Sequence, residues 1–160
     1  IPRSAGQVQM IYNHKPSQYF HPYAVTPSTP LYPFGYGLSY NEYEYSDLSI
    51  DKKEMSADGF LKVSVKVRNA GVMAGDEIVQ LYIRDRFSQV TRPVKELKDF
   101  ARISLEPGET KTVEFTVTPD KLRFLDKDLK PVVEPGEFIL MVGPSSADED
   151  LLKTSFFVKP

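Results

Sequence analysis

The 160-residue chain has no cysteine and no tryptophan. The first absence removes disulfides, thiolate metal ligands and cysteine nucleophiles together, while leaving the compartment open, because large periplasmic domains often dispense with disulfides. The second removes the ring that often stacks best on sugars and weakens the case for a dedicated carbohydrate-binding module. No apolar run approaches the roughly 20 residues of a membrane span. Ile1-Pro2-Arg3-Ser4 lacks the charged-then-apolar layout of a signal peptide, so any export signal is expected on a longer parent. A formal charge of −2, from 20 basic and 22 acidic residues, gives none of the footprint of a nucleic-acid binder. Sustained helical spacing is also missing, although Pro119-Asp120-Lys121-Leu122 suits one helical turn.

Acid is absent from one part of the chain in particular. Residues 1 to 40 contain Arg3 and Lys15 but no Asp or Glu, so all 22 acids lie downstream. The same segment holds 6 of the 13 prolines, both histidines and six of the nine tyrosines. Such a composition favours an extended or looping leader and excludes a long helix. Within it only Val8, Met10 and Tyr12 alternate as a strand would.

The hydrophobic fraction of 41%, with 10 Phe and 9 Tyr, is enough for a real core. From about residue 43 the pattern is one of short strands separated by turn residues. In Leu61 to Arg68, Leu61, Val63, Val65 and Val67 fall on one face and Lys62, Ser64, Lys66 and Arg68 on the other, the period-two mark of a half-buried sheet. Val113, Phe115 and Val117 repeat the alternation. Ile78 to Ile83 and Phe138 to Val142 are apolar on both faces, which predicts central strands or strands covered on their second side. Leu151 to Val158 suits a closing strand. Asp58-Gly59, Ala70-Gly71, Glu106-Pro107-Gly108 and Glu134-Pro135-Gly136 punctuate these runs, and Pro-Gly fits the centre of a type II turn. The fold class expected is all-β, an immunoglobulin-like or fibronectin type III-like antiparallel sandwich over residues 41 to 160, preceded by the leader.

Pro30-Leu31-Tyr32-Pro33-Phe34-Gly35-Tyr36-Gly37-Leu38-Ser39-Tyr40 resembles the segment that opens the C-terminal domain of glycoside hydrolase family 3 enzymes. The resemblance continues through Val67-Arg68-Asn69-Ala70-Gly71, the run from Ala74 to Ile83, the run from Thr91 to Lys98, Leu105-Glu106-Pro107-Gly108-Glu109-Thr110 and Glu134-Pro135-Gly136-Glu137-Phe138. Upstream, Pro2-Arg3-Ser4-Ala5-Gly6-Gln7 and Tyr12-Asn13-His14-Lys15-Pro16 resemble the exit of the preceding α/β-sandwich domain in bacterial β-glucosidases and β-xylosidases of that family. What this implies is a C-terminal, non-catalytic region whose partners are the catalytic domains of a periplasmic or secreted parent. The parent's nucleophilic Asp and its acid/base carboxylate would both lie before Ile1, and neither maps onto this sequence.

The residues themselves offer no competing chemistry. A retaining glycosidase needs two carboxylates about 5 Å apart, one of them held protonated. Asp126-Lys127-Asp128 and Asp148-Glu149-Asp150 read instead as solvated loop charge. Gly37-Leu38-Ser39-Tyr40-Asn41 lacks the second glycine of a nucleophile elbow. Gly35-Tyr36-Gly37 lacks the third glycine and the βαβ setting of a dinucleotide loop. Asp126 and Asp128 lack the glycine and distal Glu of a calcium loop. His14 and His21 make neither a metal cluster nor a triad, so no catalytic, cofactor or metal residue is assigned. His14 is left with hydrogen bonding, or with positioning a loop close to the parent's active-site domain.

Tyr32, Phe34 and Tyr36 have two readings, a stacking platform for sugar or an anchor of one domain upon another, and their place at a domain junction favours the anchor. Arg92 and Lys95, with Tyr82 and Arg84, are either plain strand-and-loop surface or part of the same contact. Three functions follow: a stabilising domain of a glycosidase, an independent carbohydrate-binding module, or a cell-surface interaction domain. A planar row of tyrosines would favour sugar, and a broad apolar patch around the leader would favour docking. A leader parted from its neighbours is also a candidate for self-association.

Overall fold

The computed structural model describes residues 1–7, 10–16 and 26–160. Alternation in the sequence becomes two sheets packed face to face. One contains β1 (Tyr43–Ile50), β3 (Leu61–Asn69) and β6 (Thr110–Val117) in the order β1-β3-β6. The other contains β2 (Glu54–Ser56), β4 (Gly75–Asp85), β5 (Glu96–Leu105), β9 (Gly136–Gly143) and β10 (Leu152–Lys159) in the order β2-β10-β9-β4-β5. All neighbours run antiparallel except β2 and β10, which are parallel. A helical turn, α1 (Pro119–Leu122), and a small hairpin of β7 (Phe124–Leu125) and β8 (Pro131–Val132) bridge β6 and β9. Among the described residues no helix is long and apolar enough to cross a membrane.

Leu61, Val63, Val65 and Val67 project from β3 into the space between the sheets, all at most 1% exposed, and meet Val79, Leu81 and Ile83 of β4 there. Phe138 of β9 lies opposite Phe156 of β10, their rings stacked with centroids 5.5 Å apart. Burial of these side chains is the main driving force for the fold, at about 25 cal/mol per Å² of apolar surface. The type II turn expected at Glu106-Pro107-Gly108 is present: Gly108 has φ +76° and Glu109 N donates to Glu106 O at 3.0 Å. Glu134-Pro135-Gly136 is instead a bend that leads straight into β9, so Gly136 extends a strand and closes no turn.

The buried Asn69 ends β3. Its side-chain amide donates to Met73 O and Leu105 O at 2.7 and 3.1 Å, and its carbonyl oxygen accepts from Gly71 N at 2.9 Å. One side chain thus supplies partners that the β3–β4 connection cannot find within itself. Tyr45 of β1 donates to Glu77 of β4 at 2.7 Å, and burial pushes the Glu77 carboxyl above the usual carboxylate range.

Two strands carry their apolar residues out of simple period. In β1, Tyr43 and Tyr45 pack inward in one phase and Leu48 and Ile50 in the other, because a bulge between Ser46 and Ser49, with Asp47 at φ +53°, shifts the register. In β5 a shift opposite Leu81 and Tyr82 does the same, and Phe100 faces outward. The strand expected at Val8, Met10 and Tyr12 is not formed where the structure describes it: Met10 and Ile11 belong to no strand and Tyr12 lies in a turn. Tyr12 turns its side chain onto β5 instead, and Val8 lies outside the described residues.

The phase of β3 gives a direct test. Val65→Asp places a carboxylate where exposure is 0% and should cost about 4 kcal/mol. Lys66→Asp, at a half-exposed side chain whose ion pair with Asp47 spans 2.9 Å, should cost under about 1 kcal/mol. Urea midpoints with equal losses for the two variants would show that this face assignment is wrong.

Candidate docking surface

β4 is buried on both faces over part of its length. Val79, Leu81 and Ile83 face the main core, while Gln80 and Tyr82 point to the opposite side of the sheet and are also buried. Tyr82, Met141 and Leu151, with Leu97 and Ile139 packed against them, form a second, smaller cluster. The leader and the β9–β10 connection cover it.

The cover is held mainly through backbone. Pro33-Phe34-Gly35-Tyr36 is a type II turn, closed by Tyr36 N donating to Pro33 O at 3.2 Å, with Gly35 at φ +78° in the position that requires a positive φ. The Gln80 side-chain amide donates to Gly35 O at 3.1 Å and to Pro144 O at 2.5 Å, and its oxygen accepts from the Tyr82 hydroxyl. Ser146 N donates to Phe34 O at 2.9 Å. A buried glutamine therefore clasps three chain segments with every polar atom used. A Cβ on Gly35 would come within 2.1 Å of Gln80 Oε1, so a side chain there would push the glutamine off its partners.

Earlier in the leader, Leu97 N donates to the Tyr12 hydroxyl at 2.7 Å, Val94 N to His14 O at 3.1 Å, and Lys15 Nζ to Thr91 O at 2.7 Å. Gln7 is buried and donates to Pro27 O and Thr29 O, tying the first residues to the approach of the aromatic turn. Apart from the Tyr12 hydroxyl and the Lys15 ammonium, carbonyls and amides make these attachments, and the rings of the aromatic turn are left partly outward. Tyr32, Phe34 and Tyr36 are 42%, 45% and 49% exposed, and Leu38 and Tyr40 lie almost wholly in solvent. Tyr32 and Tyr36 lie 5.0 Å apart at 34°, and Tyr12 and Phe34 4.2 Å apart at 41°. These tilts make a faceted cluster, not a flat row.

Arg92 and Lys95 face inward. Arg92 pairs with Glu96 at 2.6 Å and lies over the Phe124 ring with its guanidinium carbon 4.5 Å from the centroid, its side chain 11% exposed. Lys95 donates to Ser146 O at 2.8 Å and pairs with Asp148 at 3.1 Å. Burial opposes ionisation of Asp148, but hydrogen bonds and charge from Lys153 and Lys95 outweigh it and hold the carboxyl below its usual range. Tyr82 is fully buried and reaches nothing outside the chain. His21 lies outside the described residues.

The carboxylates have local work of this kind. Asp126 accepts from the backbone of Asp128 and Lys130 and shapes the β7–β8 hairpin. Asp85, pushed up by burial against the pull of Arg92, has its Oδ2 shut off from solvent, as is Oε1 of Glu134. Among the described residues no three His, Asp or Glu side chains gather as a metal site requires. The Gln80 clasp and the covered second face had a legible signal, the run Ile78 to Ile83 with its one glutamine; the backbone attachments had none.

Residues 77–146 match the fibronectin type III-like domain family. A putative β-xylosidase from Formosa agariphila is 46% identical over 159 residues, 99% of this chain and 21% of its own length. A periplasmic β-glucosidase from Salmonella typhimurium is 40% identical over 157 residues, 92% of this chain and 20% of its own. Of solved structures, a β-glucosidase from Erythrobacter marinus superposes with a TM-score of 0.93 at 42% identity, covering 99% of this chain and 21% of that one. A β-glucosidase from Listeria innocua in complex with glucose gives 0.88 at 37%, covering 99% and 23%. The chain spans about a fifth of the length of the curated relatives it matches. A superposition over 99% of the chain includes the leader as well as the sandwich.

The clasp predicts unequal glycines. Gly35→Ala should cost about 1–3 kcal/mol and expose Tyr82, seen as a loss of near-ultraviolet circular dichroism, while Gly37→Ala, with no atom within 4 Å of its Cβ position, should be silent. Equal effects would remove the clasp from the account. His14 supplies a pH test. Desolvation first and the Lys95 ammonium second hold its imidazole below the ordinary value of 6.5, against a Tyr12 backbone hydrogen bond and Asp148. The folded chain resists protonation, so stability is complete above the ordinary value and falls as pH drops below it. His14→Gln should flatten this part of the decline in urea midpoints; an unchanged profile would place the sensitivity elsewhere.

Proposed function

We propose that this chain, the fibronectin type III-like C-terminal region of family 3 glycoside hydrolases, is a stabilising domain that docks its aromatic leader onto the catalytic domains of its parent. The chain is not itself the catalytic domain. The parent's chemistry is hydrolysis of O-glycosidic bonds in a β-glucosidase or β-xylosidase, and its location is periplasmic or secreted, as the Salmonella typhimurium relative's name supports.

The observation that carries the reading is the division of labour in the aromatic turn, whose backbone is fixed to the sheet while the rings of Tyr32, Phe34 and Tyr36 stay about half-exposed. Fixed, exposed aromatics lose little conformational freedom on burial, which makes them good interface anchors. The patch extends onto the sheet: Phe100, directly across from Gln80, is 62% exposed and Ile78 is 40% exposed. Charges beside it are already matched, Arg102 with Asp76 and Lys121 with Asp99. An apolar surface with a self-neutralised rim fits a protein partner. The tilted rings do not make the planar row of tyrosines that would favour a sugar platform.

The test replaces the corresponding fifth of the Formosa agariphila β-xylosidase with this chain. The chimaera should unfold in one thermal transition, and Phe34→Ala with Tyr36→Ala should lower its midpoint while leaving kcat at low temperature unchanged. In calorimetry the chain alone should take up neither gluco- nor xylo-oligosaccharides. Independent melting of the graft, insensitive to both substitutions, would refute docking, and millimolar sugar binding abolished by Tyr36→Ala would establish the carbohydrate-module alternative.

A further inference from the structure

The ten residues that join β4 to β5, residues 86 to 95, have no regular structure except bends, yet they are tied down along nearly their whole length. Arg86 N donates to Glu137 O at 3.1 Å and its guanidinium pairs with the Glu137 carboxylate at 2.5 Å. Phe87 N donates to Asp85, and Gln89 N to Glu134 Oε2 at 3.1 Å. Arg92 is fixed between Glu96 and the Phe124 ring. Thr91 and Val94 are the loop's attachments to the leader, through Lys15 and His14. Lys95 closes the loop onto the β9–β10 connection.

One large side chain is left out of this arrangement. Phe87 is 72% exposed, with the Arg86 guanidinium 5.3 Å from its ring centroid as its recorded ring contact. Arg86 and Arg92 both have carboxylate partners, so no cation along this loop is left to call for an acidic ligand. A loop held this firmly that presents an aromatic ring to water has the form of an interface anchor: its order is already fixed, and what remains is apolar area to bury.

We propose that Phe87 is a second anchor for the same catalytic-domain surface that receives the leader's rings. The inference rests on the docking reading above and extends it to a separate element. Its occupant follows from continuity: residues 12 to 15 of the leader are bonded to residues 91 to 97, and Tyr12 packs on Phe34, so the leader ties the aromatic turn to the loop that carries Phe87. The matched relatives have about four-fifths of their length beyond this region, and the catalytic body that length would hold is the proposed occupant, a folded protein surface that buries one ring. Gly35 lies over Gln80 in the middle of β4, whereas Phe87 lies two residues beyond the end of that strand, so the two anchors sit at different levels along it. Two separate points of contact fix the orientation of a docked domain, which one patch does not.

Hydroxyl-radical footprinting of the chimaera against the chain alone tests both levels. Phe34 and Tyr36 report on the docking reading, Phe87 on the second anchor, and Leu129, 77% exposed on the β7–β8 hairpin, serves as the unprotected reference. The expected result is several-fold slower oxidation of Phe34, Tyr36 and Phe87 in the chimaera, with Leu129 unchanged. Protection of Phe34 and Tyr36 without Phe87 overturns the second anchor and leaves the docking reading standing; protection of none overturns both. Phe87→Ala supplies an independent readout, expected to leave the melting point of the chain alone unchanged and to lower that of the chimaera. If the graft does not fold, the same footprint is read on the chain mixed with the Formosa agariphila enzyme lacking its own corresponding fifth.

Discussion

β4 must be buried on two faces, and most of the molecule's arrangement follows from that constraint. Its inward residues belong to the core between the sheets; its outward residues Gln80 and Tyr82 need a cover of their own. A buried amide left without partners would cost more than the contact gains, so the cover has to bring carbonyls to Gln80. Gly35 and Pro144 do so, and the need for a carbonyl at close range explains a glycine in a positive-φ turn at that place. The aromatics beside Gly35 face outward as a consequence of how its carbonyl faces inward.

Where apolar residues kept strict period two, the sequence was enough to place the strand and its faces. Leu61 to Arg68 and the Val113, Phe115, Val117 series lie in β3 and β6 as expected, and the two-sided apolar runs became β4 and β9 in the middle of the larger sheet. β1 and β5 were illegible because bulges change phase within them, and β2 because three residues carry too little pattern. The leader's attachments could not be read at all. They run largely through backbone carbonyls, which every sequence has, met by side chains such as Gln80 whose partners no local pattern records.

The candidate contact residues divide in the same way. Tyr32, Phe34 and Tyr36 are each about half-exposed, one of the outcomes that their composition and position left open. Arg92 and Lys95 looked like surface cations, yet both are charge-paired within the chain: Arg92 with Glu96, its Nη1 left buried without a hydrogen-bond partner, and Lys95 with Asp148 and the Ser146 carbonyl, where it replaces a missing ladder hydrogen bond. A charge in a loop is ordinarily solvated; burial of these two followed from what the loop lies against, which no local pattern records. The comparisons add that this shape, leader included, recurs within larger β-glucosidases.

The central claim is that the leader is held to the sheet by its backbone even without a partner. Amide hydrogen exchange on the chain alone tests this most directly, because Val94 N donates to the His14 carbonyl, Ser146 N to the Phe34 carbonyl and Leu97 N to the Tyr12 hydroxyl of the leader. These three amides should exchange far more slowly than amides of the exposed β7–β8 hairpin tip. Exchange of all three at unprotected rates, while the β3 and β6 amides stay protected, would contradict the account.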